Sequence, residues 1–183
     1  MKNNEFLGFL GRVIVAHFLT YFLMGIVFAV SGLNVIVYYE QNPDPLVNAF
    51  FRPTTSLWVV AGPLFQLLRG ALIALTLYPF RKVFLEDKRG WLYLWGIFLS
   101  LAILVPSGAA PGSMEGIIYT TLPFLFHLIG LPEIILQTLA FSWLVVFWDH
   151  HQVKKLSIPL VVVFTLILLM LVFGLLLNVF FAS

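Results

Sequence analysis

The 183-residue chain contains no cysteine and few charged residues. The absence of cysteine excludes disulfide bonds, thiolate metal sites, iron–sulfur clusters and a cysteine nucleophile. Charged residues make up only 10% of the chain, whereas soluble domains carry roughly 25%. A chain with so little charge cannot cover a water-exposed surface. The composition therefore predicts an integral membrane protein.

The sequence also lacks a basic surface, a Walker motif and a dinucleotide-binding motif, which excludes nucleic acid as an expected partner. Hydrophobic residues instead make up 61% of the chain, and the mean hydropathy is +1.03. With most of its residues expected inside the bilayer, the chain is predicted to be a single all-α integral membrane domain covering residues 1–183.

Five apolar segments are long enough to cross a bilayer, although the third is close to the minimum length. They cover about residues 6–33, 55–80, 91–106, 131–148 and 156–181. The first segment is longer than the core of a secretory signal, so we expect it to remain as a helix. Residues 34–53 contain three prolines and three asparagines, which predicts a loop. Its aromatic pairs suggest that the loop rests at the membrane interface.

Lysine and arginine residues predict the orientation of the chain in the membrane. Four of them lie between the second and third spans, which marks that loop as cytoplasmic: Arg81, Lys82, Lys88 and Arg89. The N-terminus, with Lys2 and Arg12, is then cytoplasmic too. Lys154 and Lys155 precede the last span and should also lie inside, which requires a single crossing between the third span and Lys154.

The stretch GSMEGIIYTTLPFLFHLIGLPE, residues 112–133, raises the question of whether it crosses the membrane. We predict a short helix over about residues 114–129, with Ser113 as its N-cap, ending at Gly130 before a new helix begins at Pro132. Its fourteen residues from Gly116 to Ile129 cover only about 21 Å, short of a hydrocarbon core of roughly 30 Å. It would therefore be re-entrant or lie flat in the outer leaflet. The expected fold is five transmembrane helices plus this short helix; six crossings are the alternative.

Three polar residues are predicted to lie at a similar depth on three different spans. Arg69 and Gln137 each stand eleven residues before the expected end of their span, and His17 stands eleven residues after the expected start of its own. Gln66 lies one helical turn from Arg69, and Glu133 one turn from Gln137. Because polar groups in hydrocarbon need partners, we expect these five residues to form a polar cluster.

The short helix is expected to cover this cluster as a lid. It carries Glu115, Tyr119 and His127, and its ends contain glycine and proline residues that could act as hinges. Arg69 needs a counter-charge, and Glu133 and Glu115 are the candidate partners. On the Arg69 helix, Gly70 and Ala74 form a step of small residues that favours close approach of another helix.

Three sequence blocks resemble a family of small bacterial multi-pass inner-membrane proteins to which no activity is assigned. They are RGALIALTLYPFRKVF from Arg69, APGSMEGIIYTTLP from Ala110 and HLIGLPEIILQTLAFS from His127. The resemblance covers roughly residues 69–148. It implies a location in the bacterial cytoplasmic membrane.

The preferred interpretation is a non-enzymatic membrane protein that binds or moves a small or lipidic ligand in a polar intramembrane pocket. The ligand-binding candidates are His17, Gln66, Arg69, Glu115, Tyr119, His127, Glu133 and Gln137. One alternative is a structural or accessory subunit of a larger membrane complex, with the last span facing lipid or the partner subunit. Another is an intramembrane enzyme that uses Glu115, Glu133 or His127 as acid or base. No metal site is predicted, and the sequence does not identify a cofactor.

Overall fold

The computed structural model describes residues 3–104, 109–151 and 154–181, and every regular element in these ranges is a helix. The long helices are α1 (Asn3–Ser31), α4 (Leu57–Leu77), α6 (Gly90–Leu99), α8 (Phe124–His150) and α9 (Lys154–Phe181). The short ones are α2 (Val35–Gln41), α3 (Pro45–Phe50), α5 (Arg81–Leu85) and α7 (Met114–Tyr119). A 3-10 turn at Tyr78–Phe80 follows α4, and a π-helical turn at Ser100–Leu104 follows α6.

Four helical segments in the described residues are long and apolar enough to cross a membrane. They are Asn4–Gln41, Leu57–Leu85, Phe124–His150 and Lys155–Phe180. The third predicted span corresponds to the shorter apolar helix Gly90–Leu104, which covers only about 22 Å. Its expected end at Pro106 lies outside the described residues. The described part of the chain is thus all-helical, with four candidate membrane-spanning helices.

The expected boundary between a short helix and the fourth span at Gly130–Pro132 is wrong. Helix α7 ends at Tyr119, and α8 runs without interruption from Phe124 to His150, with Pro132 inside it. A proline removes one backbone hydrogen bond, but neighbouring helices make such breaks tolerable in apolar helices of this kind. The break falls instead at Thr120–Pro123, where Thr120 has extended backbone angles.

Helix α1 is central to the packing and contacts α4, α8 and α9. Its contact with α4 is close at Gly70, where an added Cβ would lie 3.1 Å from Cα of Ile14. Gly70 and Ala74 are both buried, which confirms the expected close approach at this small-residue step. Helix α8, which contacts α1, also packs against α6. Side chains from α1, α4, α6 and α8 form one apolar core, which includes Val13, Ala74, Leu94 and Val145.

The two ends of this helix bundle differ in composition. At one end, which we call the basic end, α1 starts, α8 ends and residues 81–89 connect α4 to α6. At the other, the loop end, α2 and α3 pack on the start of α8 through a second buried cluster of Tyr39, Val47, Leu122 and Phe126.

The loop predicted over residues 34–53 contains helices α2 and α3. Each of these short helices begins at a side-chain cap. Asn34 Oδ1 accepts from the amides of Ile36 and Val37, and Asp44 Oδ1 does the same for the first turn of α3. These caps satisfy the amides that a helix start leaves unpaired, so short helices form in a proline-containing segment.

Helix α9 is the element least covered by the rest of the chain. None of the 18 residues in its most apolar stretch is buried, whereas 39% of the residues in the corresponding stretch of α1 are buried. Trp148 on α8 donates a hydrogen bond to Ser157 Oγ over 2.9 Å and so ties the start of α9 to α8. Its exposure is that of a helix covered by lipid or by another protein.

Candidate functional site

His17 and Gln66, two members of the predicted cluster, contact each other between α1 and α4. Nε2 of His17 lies 3.1 Å from Oε1 of Gln66, so the ring donates this hydrogen bond. The imidazole is buried, and its edge meets the ring of Phe141 on α8 at a centroid distance of 5.5 Å. His17 therefore bridges three helices in the middle of the bundle.

Arg69 does not join this bridge through a direct contact. Its side chain is exposed, and within the described ranges it has neither a hydrogen bond nor an ion pair. The expected pair of Arg69 with Glu133 or Glu115 is therefore wrong. Arg69 misses these partners because of its direction around the helix. Gly70 faces α1, and Arg69, one residue earlier, points about 100° away from that contact. Arg69 lies within electrostatic range of His17 and Tyr21.

Among the described residues, an ion pair joins Arg12 of α1 to Asp149 of α8. Their side chains are only 18% and 17% exposed. Sequence reasoning used Arg12 to assign orientation and missed this pair. The signal that could have revealed it is the antiparallel arrangement of α1 and α8. In this arrangement His17 lies beside Phe141, and the start of α1 lies beside the end of α8.

Glu133 connects α8 to the turn between α1 and α2. Its Oε2 accepts a hydrogen bond from Nδ2 of Asn34 over 3.0 Å, while Oδ1 of Asn34 caps α2. The turn depends on Gly32, whose φ of 73° lies in the left-handed region that glycine adopts without strain. Asn34 is thus fixed at both ends and holds the Glu133 carboxylate in place.

A cavity of about 300 Å³ opens beside Glu133 at the loop end. Its polar lining comes from three elements: Tyr21 of α1, Asn34 before α2, and Glu133 with Gln137 of α8. The Gln137 amide has no hydrogen-bond partner in the described part of the chain. Glu133 and Gln137 were predicted as site residues, whereas Tyr21 was missed, although it stands one helical turn after His17 and shares its face.

A larger cavity of about 610 Å³ adjoins the first. The two share four lining residues: Val35, Ile36, Phe51 and Phe126. Its wall is mainly apolar, but it also includes Arg52, whose guanidinium lies 5.8 Å from the ring centroid of Trp58. Arg52 forms no ion pair with any described residue. The loop end therefore combines an acidic cavity with a wider amphipathic one.

The three polar residues of the expected lid point in different directions. Tyr119 is 72% exposed, Glu115 is half-buried without a partner among the described residues, and His127 is 1% exposed. The expectation that all three face the Arg69 level is therefore wrong for Tyr119. Because α7 ends at Tyr119 and residues 120–123 are not helical, the helical spacing that would align His127 with Glu115 is lost.

His127 instead anchors the chain around α7 to α8. Its Nδ1 accepts a hydrogen bond from the amide of Gly112 over 3.1 Å. Its Cε1 lies 3.1 Å from the position of an added Cβ on Gly116, and the carbonyl oxygen of Ala110 lies 2.1 Å from it, so only glycine fits there. Ser113 Oγ accepts from the Gly116 amide, which confirms the predicted N-cap of α7.

These contacts define the chemistry available to the site. In the residues that the structure describes, no three histidine, aspartate or glutamate side chains are grouped as metal ligands would be. The loop-end cavities offer two carboxylates, Glu133 and Glu40, with amide groups, a phenol and the Arg52 guanidinium beside an apolar space. This arrangement can bind a molecule that has a polar and an apolar part.

No protein-family model matches the chain, and neither a curated protein nor a solved structure is significantly similar to it. The resemblance of the three sequence blocks to small bacterial inner-membrane proteins therefore stays a prediction.

Proposed function

We propose that the protein binds a lipidic or other amphiphilic ligand in the two adjoining cavities of the loop end. The main support for this proposal is that the two cavities share lining residues. An acidic cavity with Glu133 and Gln137 opens beside a larger, mainly apolar one. Binding pockets for small molecules combine apolar lining with a few oriented polar groups in this way. Of the predicted ligand-binding residues, Glu133 and Gln137 line the cavity, and His17 and Gln66 stabilise the helices behind it.

The proposed topology has five crossings, with α6 as a short third span and the N-terminus in the cytoplasm. The basic residues of the α4–α6 connection favour that side for the basic end. The cavities of the loop end would then open toward the outer leaflet of a bacterial cytoplasmic membrane. Ligand exchange with that leaflet would need no movement of the helix core.

The absence of cysteine gives a direct test of this topology, because single cysteines can be labelled without background. Asn42, Lys88, Tyr119 and His151 are exposed. In intact cells an impermeant thiol reagent should label Asn42→Cys and Tyr119→Cys and should spare Lys88→Cys and His151→Cys. Labelling of His151→Cys together with Tyr119→Cys would contradict five crossings.

Ligand binding is tested by filling the smaller cavity. Gly130 lines it, and an added Cβ there would make only an ordinary contact with Val35 Cγ2 at 3.4 Å, so Gly130→Leu adds volume without a backbone clash. Gly174→Leu is the matched control, because an added Cβ on that α9 glycine has no neighbour within 4 Å.

Native mass spectrometry of the purified protein should show lipid that survives detergent washing. Gly130→Leu should lose this lipid, and Gly174→Leu should keep it. Equal lipid retention in both variants, or none in the unaltered protein, would reject the proposed function.

An accessory role in a larger complex is the second candidate function. It is favoured by the unburied α9 and by Arg69, an exposed guanidinium in the middle of a candidate span without a partner in the described residues. Arg69 could pair with a carboxylate of another subunit. Cross-linking from Leu68 or Leu72, the exposed neighbours of Arg69 on α4, would detect such a subunit in intact membranes.

A further inference from the structure

Glu133 is a half-buried carboxylate inside a candidate membrane-spanning helix, and no described basic side chain forms an ion pair with it. Asn34 donates one hydrogen bond to Oε2. The other oxygen, Oε1, has no donor within the described ranges. A carboxylate at this depth is costly unless a cation or a proton neutralises it. The cavity in front of Glu133 is therefore suited to a cationic group.

The remaining polar lining narrows the kind of cation. A primary ammonium has three N–H donors and no acceptor. Glu133, Gln137 and Tyr21 line the same cavity, and a carboxylate, an amide and a phenol can each provide an acceptor oxygen. A quaternary ammonium has no N–H group and would leave the acceptor oxygens of Glu133 and Gln137 without a donor. The unused acceptors thus favour a primary over a quaternary amine.

The adjoining cavity indicates what the amine is attached to. It is mainly apolar, and its charged lining residues are Arg52 and Glu40. Glu40 accepts a hydrogen bond from the Thr54 hydroxyl. Arg52 lies near the ring of Trp58 and forms no ion pair with a described residue. An arginine guanidinium is a strong donor to phosphate oxygens. An apolar wall with this cation, next to a carboxylate, is complementary to an amphiphile that carries phosphate and ammonium in the same headgroup.

We infer that Glu133 and Gln137 recognise the primary ammonium of a zwitterionic headgroup of the phosphoethanolamine type, with Arg52 in reach of its phosphate. This inference rests on the proposed function and specifies its ligand class. The same chemistry occurs in a membrane phospholipid and in the free headgroup, and the experiment below separates the two sources.

The test measures lipid binding to the full-length protein by native mass spectrometry at matched acyl chains. Phosphatidylethanolamine should bind about tenfold more tightly than phosphatidylcholine or phosphatidylglycerol, the difference expected for one charge-assisted hydrogen-bonded contact. Glu133→Gln should abolish this preference but keep the weaker binding of phosphatidylglycerol. Glu115→Gln is the matched control, because Glu115 lines neither cavity, and it should keep the preference.

A second variant keeps the inference testable if Glu133→Gln does not fold. Gln137→Leu leaves the Glu133–Asn34 hydrogen bond intact and should reduce the same preference. Competition by free phosphoethanolamine would show that the site accepts the soluble headgroup, whereas resistance to it would assign the site to the lipid.

Equal binding of the three lipids to the unaltered protein would overturn the ammonium inference and leave the proposed function standing. So would a preference that survives in both Glu133→Gln and Gln137→Leu. A complete absence of retained lipid would instead reject the proposed function itself.

Discussion

The Arg12–Asp149 ion pair gives the sharpest stability prediction, because it joins the central helix to α8 at the basic end. Removing Asp149 leaves the Arg12 guanidinium without the carboxylate it contacts, and removing Arg12 takes a charged contact from Asp149. Fully buried pairs lose about 3–5 kcal/mol on such truncation, and exposed pairs about 0–1 kcal/mol. With side chains 18% and 17% exposed, this pair lies between the two limits, and we expect a loss of about 2 kcal/mol.

A loss of this size lowers the melting temperature of a protein of this length by about 4–8 °C. Asp149→Asn and Arg12→Gln keep the shape of each side chain while removing its charge. Differential scanning fluorimetry in one detergent should show the decrease for each single variant. The double variant should melt well above the temperature expected from adding the two losses, because no charge is then left uncompensated.

Arg69→Gln is the matched control, since this arginine also lies in a candidate span but has no ion pair in the described residues. It should leave the melting temperature unchanged or raise it. If Arg69→Gln destabilised the protein as much as Arg12→Gln, or if the Arg12 and Asp149 losses were strictly additive, the assignment of the ion pair would be refuted.

Three further predictions concern the packing contacts. Gly116→Ala should destabilise the protein by more than about 2 kcal/mol, because its Cβ would lie 2.1 Å from the carbonyl oxygen of Ala110; Gly25→Ala, with open space, should not. Gln66→Leu should cost about 1–3 kcal/mol by leaving the buried His17 without its partner, and Gln137→Leu, which breaks no described hydrogen bond, should cost less. Ser157→Ala should lower the melting temperature slightly through loss of the Trp148 hydrogen bond. Melting curves check these three. Equal losses in Gly116→Ala and Gly25→Ala, or in Gln66→Leu and Gln137→Leu, would contradict the contact concerned, as would an unchanged melting temperature for Ser157→Ala.

The helices were predictable from the sequence because hydropathy alone shows where a chain avoids water. The apolar runs around α1, α4, α8 and α9 exceed the length that a bilayer requires, and all four are helices in the structure. The small-residue step at Gly70 and Ala74 was informative for a similar reason, since close approach of two helices needs small side chains wherever it occurs.

Helix ends inside apolar sequence were less predictable. Gly130 and Pro132 are strong stop signals in water, where an unpaired amide or carbonyl is an acceptable outcome. In an apolar bundle the surrounding helices hold the segment in place, so α8 continues through both residues. The asparagine and aspartate caps of α2 and α3 show the opposite case, in which local hydrogen bonds form helices that periodicity did not indicate.

The position of a polar residue along its span predicts its depth in the membrane but not its direction around the helix. Arg69, His17 and Gln137 were expected together because they share a depth, yet Arg69 is exposed while His17 is buried. A rotation of 100° per residue separates the helix face with Gly70 from the face with Arg69. Only a contact between helices fixes that angle, and a single sequence shows no such contacts.

The missing direction around each helix also explains why only part of the acidic cavity was predicted. Glu133 was expected to neutralise Arg69, but its partner is Asn34, a residue 99 positions away in a segment predicted to be a loop. An amide satisfies one carboxylate oxygen without supplying a positive charge, so no described cation pairs with this carboxyl group. Had Arg69 paired with Glu133, the loop end would hold a neutral structural contact. Because Asn34 takes that place, the cavity keeps a carboxylate that a cationic ligand can neutralise.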